Sequence, residues 1–173
     1  EDHIVLINSP KDGAERYFIQ LVSQLRRSAL PAAKKPVLIV TSHLKEGIPD
    51  SLRAMDVAHV NADHADLQSA EHSSLDKAAI IVVLCHDPIH PIWDSVNFDL
   101  VTRCRESNPT ALIIAEAVTD DNRERLIRAG ANHVVRPIRS YPELLVRTML
   151  APGTEQVIED LFDSSGEECV RYP

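Results

Sequence analysis

Short apolar runs alternate along the chain with stretches whose apolar residues recur at helical spacing. Ile4–Ile7, Val37–Val40, Val57–Val60, Ile80–Leu84, Leu112–Ala115 and His133–Val135 read as six strands. The fourth is apolar at every position, as expected of a parallel strand covered on both faces. Tyr17, Leu21 and Leu25 share one face of a first helix, with Ile19 and Val22 widening the stripe. Val96, Leu100 and Cys104 mark another helix, and Asn122–Ala129 a third, closed by Gly130 in the place of a C-cap. Beyond Pro137 the spacing predicts a helix over Tyr141–Leu150 with Leu144, Leu145 and Met149 on its apolar face. After the Pro152-Gly153 break come a short helix over Glu155–Phe162 and an acidic tail.

Strands alternating with helices predict an α/β, Rossmann-like, doubly wound fold with a six-stranded, mainly parallel sheet. Residues 1–138 form its body, and residues 139–173 add a terminal helical pair to the same domain. Ligands of such folds sit beyond the C-terminal ends of the strands. That places the candidate loops at Asn8–Gly13, Thr41–His43, Asn61–His64, Cys85–Pro88 and Glu116–Val118.

Composition narrows the classes. A chain of 173 residues is long enough for one core, and a 4% aromatic content leaves that core to Val, Ile, Leu and Ala. The net charge of −8 argues against a nucleic-acid partner, whose phosphates call for a basic face. No run approaches the ~20 apolar residues of a membrane span, and the opening carries no signal-peptide pattern. Starting at Glu1 without an initiator Met, the sequence is expected to be a piece of something longer. Three cysteines without paired spacing fit a reducing compartment.

The chemistry of the loops is uneven. A dinucleotide fold would carry G-x-G-x-x-G after the first strand, so that backbone can approach a pyrophosphate. Here the loop reads Asn8-Ser9-Pro10-Lys11-Asp12-Gly13: Pro10 removes an N–H, Asp12 repels phosphate, and Lys11 offsets it in part. The second strand ends in Thr41-Ser42-His43, with no acid for a ribose, and His43 is left to face an adenine, a phosphate or solvent. Asp63 and Glu116 are expected to point into one crevice, as a weak Ca²⁺ site or as polar anchors for a nucleotide. Alternatively each caps the helix that follows. His86-Asp87-Pro88-Ile89-His90, beside Cys85, has zinc-ligand residue types, but its prolines read as an irregular loop closing over the crevice. No catalytic constellation emerges: there is no G-x-S-x-G, no H-E-x-x-H and no Tyr-x-x-x-Lys.

The segment Ala129–Ile138 resembles the end of a response-regulator receiver domain. That family, however, needs an acidic pair after strand one, where this chain has Asn8-Ser9, and a Lys where it has Arg136. From His3 to about Val170 the chain resembles the RCK (TrkA-N) family, the cytoplasmic domains that regulate potassium channels and transporters. The resemblance rests on His3-Ile4-Val5-Leu6-Ile7, Asn61-Ala62-Asp63, Leu75-Asp76-Lys77-Ala78, Ile113-Ile114-Ala115-Glu116-Ala117 and the run Leu126–Pro137. It implies a non-enzymatic, ligand-sensing domain at the inner face of the membrane. Its helix over Tyr141–Leu150 would cross to a second copy, and dimers would assemble into a gating ring beneath a membrane-embedded channel or transporter. It also implies that Asp63 and Glu116 are the remnant of a calcium site whose third position is Val118, and that the nucleotide motif is degenerate. The ligand set expected is Asn8, Ser9, Gly13, His43, Asp63, His86, Asp87 and Glu116, with nucleotide and Ca²⁺ the candidate cofactors. The alternatives are a fragment of an NAD(P)-dependent oxidoreductase and a structural ring domain without a ligand.

Overall fold

The computed structural model describes residues 2–63 and 74–136. Six strands, β1 (His3–Ile7), β2 (Val37–Val40), β3 (Val57–Val60), β4 (Ala78–Val83), β5 (Leu112–Glu116) and β6 (His133–Val135), form one sheet in the order β3-β2-β1-β4-β5-β6. Every pairing is parallel, so the sheet is wholly rather than mainly parallel. Helices α1 (Ala14–Arg27), α2 (Asp50–Arg53), α3 (Ile92–Ser107) and α4 (Arg123–Ala129) connect them, with short 3-10 turns at Pro31–Lys34, Leu75–Lys77 and Asp120–Asn122. The six predicted strands all form, β4 starting two residues earlier than its apolar run suggests. The four residues of α2 carry too little periodicity to be read from sequence. The terminal helices expected over Tyr141–Leu150 and Glu155–Phe162 lie outside the described residues.

Alternation along β1 divides the core. Ile4 and Leu6 face the layer that holds α1, with Ile39 and Leu52, whereas Val5 and Ile7 face Ile81, Val83, Leu100, Val101, Cys104 and Leu126 on the other side. The buried stripe of α1 is centred on Ala14, Phe18 and Val22, and the expected Tyr17, Leu21 and Leu25 flank it half-buried. The moment of the helix is right, but its axis is rotated by about one residue. Phe18, fully buried, is the anchor, and burial of such a side chain contributes about 2–3 kcal/mol. Gly130 ends α4 at φ 118°, its N–H and that of Ala131 returning to Ile127 and Leu126.

With β1 and β4 adjacent at the centre, the strand order reverses between them. That is the switch point where doubly wound sheets open a crevice beyond the carboxyl ends of the strands.

Candidate functional site

The switch point is built by the loops after β1, β2 and β4. Asn8 ends β1 at φ 72°, a left-handed conformation that asparagine tolerates better than most residues. Its side chain explains the choice. Oδ1 accepts the Ser9 N–H at 2.9 Å, while Nδ2 donates to the Leu84 carbonyl at 3.3 Å, tying β1 to β4. Ser9 is fully buried, and its Oγ meets Thr41 Oγ1 at 3.1 Å, reaching β2.

His86 closes the crevice from the β4 side. Its Nδ1 donates to the Ser9 carbonyl at 2.8 Å, which requires the proton on Nδ1, since a carbonyl only accepts. The Lys11 N–H donates back to the His86 carbonyl at 2.8 Å. The imidazole lies between two rings: His43 at 4.4 Å between centroids and tilted 34°, and Trp93 of α3 at 4.6 Å. His43 itself is exposed at its outer edge, its ring nitrogen 3.3 Å from Thr41 Oγ1. Below, His59 Nε2 donates to the Thr41 carbonyl at 2.9 Å.

Asp87 faces inward beside this stack and accepts the Ile89 N–H at 3.0 Å. Lys11 approaches it at 3.6 Å and His90 at 3.8 Å. The Ile89 N–H, aided by the His90 and Lys11 charges and opposed by desolvation, holds the Asp87 carboxyl below the usual carboxylate range. Glu116 closes β5 half-buried, and its Oε2 accepts the Cys85 N–H at 2.7 Å. It therefore braces the loop that carries His86 rather than capping the helix that follows. Asn97 of α3 donates to the Glu116 carbonyl at 2.8 Å.

One residue sequence reasoning missed is Asp94. Buried in the first turn of α3, it accepts the Val118 and Thr119 N–H groups at 2.6 and 3.1 Å, the Thr119 hydroxyl and the Asn122 amide. An Asp in the first turn of the helical pattern, one of two in α3, was the available signal. Only the fold shows which loop it ties down.

Of the expected site residues, Asn8, Ser9, His43, His86 and Asp87 come together, and Glu116 supports them. Gly13, at φ 67° before α1, lines an open groove of about 390 Å³ just outside the stack, with Lys11, Ala14, Glu15, His43 and Lys45 among its walls. Asp63 is exposed beyond β3. Strand order puts β3 and β5 four inter-strand steps apart, roughly 19 Å at about 4.8 Å per step. This corrects the expectation that Asp63 and Glu116 open on one crevice. Among the described residues no three His, Cys, Asp or Glu side chains are grouped to hold a metal ion.

The description of the TrkA-N domain matches residues 13–137, most of the chain. The chain belongs to the TrkA-N domain family. Among solved structures it is similar to the TrkA-N domain of the inner membrane protein ybaL from Escherichia coli, at 21% identity and TM-score 0.58 over 86% of this chain and 94% of that one. It is similar to the GsuK channel bound to NAD, at 22% identity and TM-score 0.61 over 92% of this chain and 25% of that one. It is also similar to the human SLO3 gating ring, at 11% identity and TM-score 0.57 over 98% of this chain and 31% of that one. At these identities the likeness is one of fold. No curated protein matches the chain by sequence. Among the described residues of this TrkA-N domain, no helix is long and apolar enough to cross a membrane.

Proposed function

We propose that this TrkA-N domain is a regulatory module of a potassium channel or transporter, sensing a ligand at the C-terminal edge of its sheet and pairing with a second copy into a ring. The observation that carries the reading is the 3-2-1-4-5-6 parallel sheet of a TrkA-N member whose switch point gathers polar and titratable side chains. The GsuK channel and the SLO3 gating ring, both similar in fold, support the channel context.

The effector seat is the open groove between the β1–α1 and β2–α2 loops, whose 390 Å³ lies within the range of small-ligand sites. Its lining includes Gly13, the basic Lys11 and Lys45, His43, and the acidic Glu15 and Glu46. A small ligand bearing charge of both signs, or one phosphate, suits these walls better than a bare divalent cation. Binding would bias the ring only through unequal affinity for its two shapes.

Self-pairing rests on the helix read from sequence over Tyr141–Leu150, together with exposed Ile92 on α3 and Ile127 on α4. Sedimentation analysis of the chain is expected to show a dimer, and Leu145→Glu, at an apolar position of that predicted helix, to yield a monomer that still unfolds cooperatively. A wild-type chain that stays monomeric at tens of micromolar would overturn the ring reading.

A further inference from the structure

Nicotinamide dinucleotides are the ligands that this fold, and the NAD-bound GsuK channel beside it, bring to mind for the switch point. A dinucleotide is held there by free backbone N–H groups of the β1–α1 loop, admitted by glycines, and by an acid at the end of β2. In this chain each N–H of that loop's first turn is already spent. Asn8 N–H donates to Val40 across the sheet at 2.9 Å, and Lys11 N–H to His86 at 2.8 Å. Ser9 N–H is taken by the Asn8 side chain, and Pro10 has none.

The next N–H belongs to Asp12, whose carboxylate repels phosphate. Asn8, Ser9 and Pro10 are buried, so the start of the loop offers no bare backbone to a ligand, while its exposed Lys11 and Gly13 line the outer groove. The end of β2 supplies Thr41 and His43, bonded to each other, in place of an acid.

We infer that this crevice is self-occupied: His86, wedged between His43 and Trp93 and bonded to the Ser9 carbonyl, takes the place of the dinucleotide diphosphate and excludes nicotinamide dinucleotides. Two hydrogen bonds in opposite directions, His86 Nδ1 to Ser9 O and Lys11 N to His86 O, latch the β1–α1 loop to the β4–α3 loop. The Lys11–Asp87 ion pair and the Asn8–Leu84 bond lie alongside. Backbone groups that a nucleotide would satisfy are satisfied by the protein, and desolvating them for a ligand would first require breaking the latch. The two loops therefore hold one arrangement without a nucleotide, and an effector is confined to the outer groove. This inference stands whether or not the chain forms a ring.

Trp93, the single tryptophan, touches His86 and serves as the probe. NADH bound in the crevice would accept its excitation energy. Titration of the full chain with NADH to millimolar levels is expected to give no saturable transfer from Trp93, and NAD⁺ no saturable rise in melting temperature. In hydrogen exchange the Lys11 amide is expected to be protected, and in His86→Ala to exchange about tenfold faster, while amides of central β4 are unchanged.

Should His86→Ala fail to fold, His43→Ala removes only the outer ring, and its Lys11 amide should exchange at a rate between wild type and an open loop. Saturable NADH transfer in the wild type would overturn the inference. So would a wild-type Lys11 amide exchanging as fast as that of exposed Lys45, or one indifferent to the loss of both imidazoles.

Discussion

The two ends of the sheet are each stitched by a buried asparagine, yet they are built on different plans. At the N-terminal end, Asn108 donates to the Leu75 and Ala78 carbonyls at 2.7 and 2.9 Å and accepts the Thr110 and Ala111 N–H groups. Arg105 beside it holds the Gly130 carbonyl with two nitrogens and also reaches Asn108, Pro109 and Asn132. Nearly all of these partners are backbone groups at helix ends and strand starts.

At the C-terminal end, the Asn8 side chain makes one cross-strand bond and leaves the remaining side-chain links to Ser9, Thr41, His43, His86 and Asp87. The rings there meet at tilted angles, His43 and His86 at 34° and His86 and Trp93 at 57°. The first end spends its polar chemistry on joining loops to the sheet. The second joins loops to one another through side chains, Ser9 to Thr41 and Lys11 to Asp87.

The sharpest way to break this contrast is to damage the seam. Asn108→Ala strands two buried carbonyls and two N–H groups, for an expected loss of about 3–4 kcal/mol and a fall in melting temperature of roughly 10 °C. Calorimetry checks this, and Trp93 emission in the folded fraction should be unchanged, because the latch lies at the other end.

A smaller loss, about 2 kcal/mol, is expected of Gly130→Ala by chemical denaturation. Its φ of 118° is strained for alanine, and the added Cβ would stand 2.7 Å from Arg105 Cγ.

The smallest effect belongs to the C-terminal end of the sheet and is one of pH. The folded Asp87 carboxyl lies below its ordinary 3.8, so its contribution to stability is present above that pH and is lost as pH falls through the folded value. The stability gap between wild type and Asp87→Asn should therefore persist down to about pH 5 and close as pH drops below 4. A gap that failed to close below pH 4 would remove Asp87 from the latch. Cys104, by contrast, buried under α3 with its thiol pushed up to about 12, should resist alkylation at pH 8 until the domain unfolds.

Much of the architecture was legible along the chain. Parallel strands covered on both faces must be short continuous apolar runs, and Ile80–Leu84 and Leu112–Ala115 announced themselves that way. Gly130 marked the end of α4 because few residues adopt its φ. The site was legible as a set of loops and not as a set of contacts. Asn8, Ser9, His43 and His86 were named because they follow strands. Sequence reasoning cast them as ligand contacts, whereas the fold bonds Ser9 and His86 to each other.

What the sequence by itself determined is the alternation of strands and helices, and with it the family, because hydrophobic period and turn chemistry are local properties of the chain. Only the tertiary structure decided which loops meet. The strand order separates Asp63 from Glu116, and it brings Asn8 against Leu84 from 76 residues away and His86 against Ser9 from 77. Crossover connections set that order, and the burial of whole sheet faces selects it. No window of neighbouring residues contains that information.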